Sequence, residues 1–269
     1  MRIVLVCDAN RARSPIAAAL LTRELDQRGM SVGIGVSSAG LSTRGGQPAV
    51  PEAVEAAAGL GLDLRAHRSR PLTDHDLDAD LIITMTRSQL DAIGPRRPGL
   101  SARAFTLVEL VALLALADLR GNQRRADEEA AGWGLDEPLP FPPPVPTVED
   151  RLWGEDEAPG DAPPVEPSRA AVAGAHAIRL GIDVANGQRS RRRSALAPDE
   201  RPPAPDHDDV VDPMRAEEDE DPSGLGLARR MDATVTELER LVARLARLLV
   251  GPAPRRQRPG PEPEPDPAP

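Results

Sequence analysis

The stretch CDANRARSP (residues 7–15) gathers the reactive groups of this 269-residue chain: its single cysteine, Cys7, followed at a fixed distance by Arg13 and Ser14. A thiolate is a strong nucleophile. A short loop between a strand and a helix can turn several backbone N–H groups toward one point. The helix that follows adds the positive end of its dipole there. A dianionic phosphoryl group fits such a cradle. Arg13 can grip two of its oxygens with a planar fork, Ser14 can donate a hydrogen bond to the thiolate, and Asn10 can brace the loop through side-chain to backbone bonds. The same field is expected to bring the Cys7 pKa well below the free-thiol value of roughly 8.5. The chemistry implied is attack of sulfur on phosphorus, with Arg13 and the loop amides stabilising the equatorial oxygens. The competing reading of Cys7 is a buried thiol before a turn.

The elements needed to position these groups can be read on both sides of them. Arg2–Val6 is a continuous apolar run rich in β-branched residues, the pattern of a buried parallel strand. Pro15 stands near the first position of a helix that stops at Gly29. Residues 32–40 read as a second strand, 48–61 as a second helix and 79–85 as a third strand. Residues 103–121 read as a short fourth strand running into a helix. Strands alternating with helices give an α/β fold: a small parallel sheet of about four strands, helices on both faces, and a phosphate-binding loop after the first strand. Ligands bind such sheets at the carboxyl ends of the strands, where Cys7 lies.

Composition bounds the rest. The chain has 30 prolines, clustered after residue 138, no tyrosine, and a net charge of −10. Lysine is absent, so all 33 basic residues are arginine. The acidic balance argues against nonspecific nucleic-acid binding. The arginine run RSRRRS (189–194) is expected to be a solvated linker segment. One cysteine excludes an internal disulfide framework and fits a reducing compartment. No apolar stretch is long or uncharged enough to span a bilayer, and MRIVLV is too short for a signal-peptide core. The expected location is cytoplasmic. Four domain segments follow: 1–135 the main α/β part, 136–227 a proline-rich acidic insertion or linker, 228–251 a C-terminal helix completing the domain, and 252–269 a disordered tail. Within the insertion, 168–182 reads as a short helix. In the terminal helix Met231, Val235, Leu238, Val242, Leu245 and Leu249 alternate spacings of four and three. That stripe suits a helix packed on the sheet, the preferred reading, or a short dimerising coiled coil; oligomeric state stays open. His67, His75, His176 and His207 show no ligand spacing and read as surface or loop residues. No metal site, nucleotide-binding glycine motif or other cofactor is expected.

With these residues in view, the sequence resembles the low-molecular-weight protein tyrosine phosphatases, whose loop reads C-x-G-N-x-C-R-S-P near the N-terminus. Cys7, Asn10, Arg13 and Ser14 match it, as do the segments SSAG (37–40), AHRSRPLT (66–73), ADLIITMTRSQL (79–90) and FTLVEL (105–110). The resemblance implies a phosphatase acting through a phosphocysteine on protein phosphotyrosine, another phosphorylated residue or a small phosphomonoester. It also implies an Asp-Pro loop whose aspartate protonates the leaving group and then activates water. Two such pairs occur, at Asp212 and Asp221. The valines before Asp212 could pin a loop against the sheet, whereas Asp221 lies closer to the terminal helix inside an acidic run; Asp212 is chosen. Aromatic residues that follow the proline in the family are missing at both. Ala9 replaces the family's glycine, where a positive φ is expected, and Ala12 replaces its second cysteine. Arg11 stands where the family has an apolar residue or threonine; a cation there would favour an acidic substrate or face solvent. A phosphate-binding pseudo-phosphatase is the alternative. Arsenate reduction would need further cysteines.

Overall fold

The computed structural model describes residues 1–30, 32–130, 169–195, 209–213 and 225–252. Strand β1 (Arg2–Cys7) lies at the centre of a four-stranded parallel sheet, flanked by β2 (Gly35–Gly40) and β3 (Leu81–Thr84), with β4 (Ala104–Thr106) beyond β3. Helices α1 (Arg13–Asp26), α2 (Pro51–Gly59), α3 (Arg87–Ile93) and α4 (Leu107–Ala130) follow the strands in turn, then α5 (Arg169–Ala195) and α6 (Leu225–Val250). The period of two along β1 sorts its side chains cleanly. Ile3, Leu5 and Cys7 enter a large core that also takes in residues of α1, α2, α4, α5 and α6. Val4 and Val6 enter a smaller one with Ile82, Leu90 and Ile93 of β3 and α3. The sheet is therefore covered on both faces, as alternating elements predict.

The stripe on α6 is spent inside this chain. Met231, Val235, Leu238, Val242, Leu245 and Leu249 are all buried, packed with α1, α2, α4 and α5. The packed helix, not the coiled coil, accounts for the pattern.

Three local expectations change. Helix α3 has no counterpart in the sequence reading: it is seven residues long, too short to show a period. It is started by a capping box, in which Gln89 N–H donates to Thr86 Oγ1 and Gln89 Oε1 accepts from Thr86 N–H. The helix expected at 168–182 runs through Ala195 as α5. Ile178, Ile182, Ala185 and Gln188 form its buried face, and at Gly181 an added Cβ would stand 2.5 Å from Leu249 Cδ2, so glycine permits the close approach to α6. The start of the expected solvated RSRRRS run is thereby docked. Arg189 lies 4.0 Å from the centre of the Phe105 ring and donates to both Glu109 carboxylate oxygens, at 2.7 and 2.9 Å. The first residues of α6, 225–227, also fall within the expected insertion; the rest of it, outside α5 and residues 209–213, and the tail beyond Pro252 lie outside the described residues. No helix among the described residues is long and apolar enough to cross a membrane.

Candidate active site

Residues 8–12 connect the carboxyl end of β1 to the first turn of α1. Cys7 is buried, its Sγ 3.0 Å from Ser14 Oγ and 3.3 Å from the N–H of Asn10. Asn10 Nδ2 donates to Ser14 Oγ at 3.0 Å, which occupies an acceptor site on that oxygen. The hydroxyl's one proton then chooses between the sulfur at 3.0 Å and Ala39 O at 3.4 Å, and the shorter leg favours sulfur. Among the described residues the N–H groups of Ala9, Arg11 and Ala12 have no protein acceptor, which leaves them for an anion.

Asn10, not Ala9, holds the left-handed conformation, with φ of 55°. Asparagine tolerates that region because its short polar side chain can bond locally. Here it does so in every direction: Nδ2 also reaches Ser38 Oγ at 2.8 Å, Oδ1 accepts the Arg70 N–H at 3.0 Å, and the backbone carbonyl meets His67 Nε2 at 2.7 Å. A carbonyl only accepts, so His67 carries its ring proton on Nε2. His67 is a half-buried loop histidine, in keeping with its sequence reading, and from that loop it holds the central carbonyl of the phosphate-binding loop. Arg70 is held in turn by a bidentate pair with Asp76, at 2.8 and 2.9 Å. Burial pushes the Asp76 carboxyl up, but the Arg70 guanidinium and the Thr73 N–H and hydroxyl outweigh it and hold the pKa at about 2. Gly40 closes the floor. An added Cβ there would stand 2.7 Å from Asp8 O, so β2 approaches the loop more closely than any side chain allows.

Arg13, only 4% exposed, is clamped between two carboxylates, Asp8 at 3.2 Å and Asp212 at 2.6 Å. Gln89 Nε2 donates to the same Asp8 oxygen at 2.9 Å, so the α3 capping residue also fixes the loop. Asp212 arrives on a segment docked at its backbone. Val210 N–H donates to Met85 O at 2.8 Å, Asp209 accepts the Arg87 N–H, and Arg230 of α6 donates to Pro213 O at 3.2 Å. Of the two valines expected to pin this loop, Val210 is fully buried and Val211 is 65% exposed. A cavity of about 180 Å³ results, lined by Cys7, Ala9, Arg11, Arg13, Val50 and Asp212 among others.

The structure thus brings together all five residues singled out in the sequence: Cys7, Asn10, Arg13, Ser14 and Asp212. Asp221 lies outside the described residues. Sequence reasoning missed Asp8, Ser38, His67, Arg70 and Gln89 as site residues. Ser38, His67 and Arg70 sit in the matched segments SSAG and AHRSRPLT, and Gln89 in the Thr86-x-x-Gln89 capping signature. Among the described residues no group of three or more His, Cys, Asp or Glu is arranged to hold a metal ion.

Comparison with known proteins bears on this geometry. The family model described as "Low molecular weight phosphotyrosine protein phosphatase" matches residues 2–116. The probable low molecular weight protein-tyrosine-phosphatase EpsP of Ralstonia nicotianae is 39% identical over 129 residues, 48% of this chain and 84% of that protein. The protein-arginine-phosphatase of Bacillus subtilis is 36% identical over 112 residues, 41% of this chain and 73% of that protein. The crystal structure of a Bacillus subtilis YwlE mutant aligns over 92% of this chain and 97% of its own, at 20% identity and a TM-score of 0.47.

Proposed function

The chain belongs to the low molecular weight phosphotyrosine protein phosphatase family and is a phosphatase; on that premise we propose that it hydrolyses phosphotyrosine in proteins through a phosphocysteine on Cys7. The observation that carries this reading is the convergence of Cys7 Sγ, Arg13 and Asp212 on one small cavity at the carboxyl end of β1.

The roles follow from the contacts. Asn10 N–H and Ser14 Oγ stabilise the sulfur as thiolate. Arg13 and the free loop amides bind the phosphoryl oxygens and gain strength as negative charge spreads over them in the transition state. A phosphoryl oxygen entering the Arg13 fork competes with Asp212 for the same nitrogen and releases the Asp212 carboxyl toward the leaving oxygen. Sulfur attacks phosphorus, the P–O bond to the phenol breaks, and the Asp212 carboxyl, which takes up a proton from water once it has left the guanidinium, delivers that proton to the leaving oxygen. Water then attacks the phosphocysteine and gives its proton to Asp212. The S–P bond breaks, and inorganic phosphate leaves with the thiolate restored. No metal or cofactor takes part in this scheme.

Phosphoarginine is the second reading. It is supported by the similarity to a protein named for that activity and by a cavity whose apolar lining among the described residues is Ala9, Ala12 and Val50, with no aromatic ring among them to flank a phenyl group. The lone cysteine suits a reducing cytoplasm, where we place the reaction. The test is hydrolysis by the purified full-length chain of p-nitrophenyl phosphate and of peptides carrying phosphotyrosine or phosphoarginine. The peptide with the higher kcat/KM identifies the side chain. Cys7→Ser should abolish turnover of all three while the circular dichroism spectrum stays unchanged, because a hydroxyl is far less ionised than a thiol in the same cradle. More than a few percent of residual rate would exclude Cys7 as nucleophile.

A further inference from the structure

The cavity, of about 180 Å³, has room for a phosphorylated side chain but not for the peptide on either side of it, so the flanking residues must be met by its rim. We propose that Arg11, Arg44 and Arg68 form a cationic rim that selects phosphorylated segments with acidic flanking residues; this rests on the phosphatase reading above and adds the sequence context of the substrate.

The three arginines sit on loops tied to one another and to the phosphate-binding loop. Arg11 Nε donates to Pro48 O at 2.8 Å, and the Val50 N–H donates to Arg11 O at 3.0 Å. Pro48 pairs with Arg68 in an isolated antiparallel bridge. Two residues beyond Arg44, the Gly46 N–H donates to Ser69 O at 2.7 Å, and the Ser69 N–H donates to Gln47 O at 2.8 Å. His67, the neighbour of Arg68, holds Asn10 O. The 44–48 and 67–70 segments therefore stand together beside the mouth of the cavity, which Arg11 lines.

Their charge is uncompensated. Arg65 is taken by Asp63, Arg70 by Asp76, and Arg13 by Asp8 and Asp212. Arg11, Arg44 and Arg68 have no carboxylate partner among the described residues. The bonds that Arg11 and Arg68 do make run to backbone carbonyls: Pro48 O for the first, Arg65 O and His67 O for the second. Such bonds fix a guanidinium in place without neutralising it. Helix α2, which follows Val50, carries one acid in its first turn, Glu52. The rim thus sets guanidinium charges without carboxylate partners beside the cavity. Complementary charge of this kind governs which partner docks and how fast.

The experiment uses the full chain and two phosphotyrosine peptides, one flanked by Asp and Glu, the other by Ser and Gly, with p-nitrophenyl phosphate as the flank-free substrate. At low ionic strength kcat/KM for the acidic peptide should exceed that for the neutral one by about tenfold. At about 0.5 M salt the ratio should fall to about two, because exposed charges are screened. Double replacement of Arg44 and Arg68 by alanine should lower the same ratio several-fold, and double replacement by lysine should restore most of it. Equal rates on the two peptides with p-nitrophenyl phosphate turned over normally overturn the proposal alone. A ratio insensitive to both salt and the alanine replacements overturns it as well. No turnover of p-nitrophenyl phosphate overturns the phosphatase reading and this proposal with it.

Discussion

Replacing Asn10 by alanine tests whether this residue organises the phosphate-binding loop. The side chain is fully buried and makes three hydrogen bonds outside its own backbone, to Ser14 Oγ, Ser38 Oγ and from the Arg70 N–H. An orphaned buried polar group costs about 1–3 kcal/mol. The Ser14 and Ser38 hydroxyl oxygens each lose one incoming donor, whereas the Arg70 amide loses its acceptor outright, so the three together come to about 3 kcal/mol. Alanine in the left-handed region costs about 1–2 kcal/mol more. The sum, about 4–5 kcal/mol, is a large share of the 5–15 kcal/mol typical of a folded protein. Asn10→Gly loses the same hydrogen bonds but not the conformational allowance. It should therefore lie about 1 kcal/mol above Asn10→Ala in stability. Urea unfolding of the three proteins gives the order wild type, glycine variant, alanine variant. Kinetics on p-nitrophenyl phosphate should show both variants down by about 10²-fold in kcat/KM, the effect of a reacting group misplaced by about 1 Å. An alanine variant within about 1 kcal/mol of wild type, or more stable than the glycine variant, would refute the reasoning.

Other expectations follow from single contacts. Asp212→Asn should slow phenyl phosphate hydrolysis by about 10²–10⁴-fold and p-nitrophenyl phosphate much less, since the nitrophenolate leaves without a proton; equal losses on both would deny Asp212 the role of acid. Asp76→Asn should cost about 2 kcal/mol at neutral pH. Because the Asp76 pKa is depressed to about 2, its contribution is complete above the ordinary carboxylate range and disappears as pH falls from about 4 to about 2. The difference between wild type and variant in urea melts should close over that interval, and a constant gap would contradict the assignment. Arg189→Ala leaves Glu109 half-enclosed without its partner and should destabilise by about 2–3 kcal/mol, with part of the loss recovered in the double variant that also carries Glu109→Ala. Additive losses in that cycle would mean that α5 is not held by this pair.

The strand, loop and proline-started helix at the N-terminus were legible because each carries a local signal: a β-branched run, a reactive spacing, a fixed φ. Asp212 could be proposed from its Asp-Pro pair and the valines before it, although burial of Val210 and exposure of Val211 could not be read from two identical residues. The bracing of the site was harder to see. Asp8 meets Gln89 across 81 positions, a contact that exists only once β1 and β3 are neighbours, and Asn10 meets Arg70 across 60, a contact that exists only once the Arg70 segment docks beside Gly40 at the end of β2. The positive φ was expected at Ala9 by analogy with a glycine, but falls on the residue whose side chain can satisfy it. Helix α5 was cut short because its later turns are rich in arginine. A helix buries only one stripe, so arginines elsewhere on its circumference do not end it.

Arg13 and Asp212 meet at 2.6 Å although 199 positions separate them. In polymer terms the site is a ring closed on a very long loop, and the entropy of closing such a ring grows only with the logarithm of its length. Each doubling costs about 0.6 kcal/mol, less than a single buried hydrogen bond. Helix α5 docks on α4 and α6, between the two partners in sequence, while the geometry at Arg13 is set by Val210 and its bond to Met85. The same topology orders events during synthesis: Asp212, and the α6 residue Arg230 that holds Pro213, are made more than 200 residues after Cys7. On the proposed mechanism, the acid therefore joins the site only after the loop that it meets has been made.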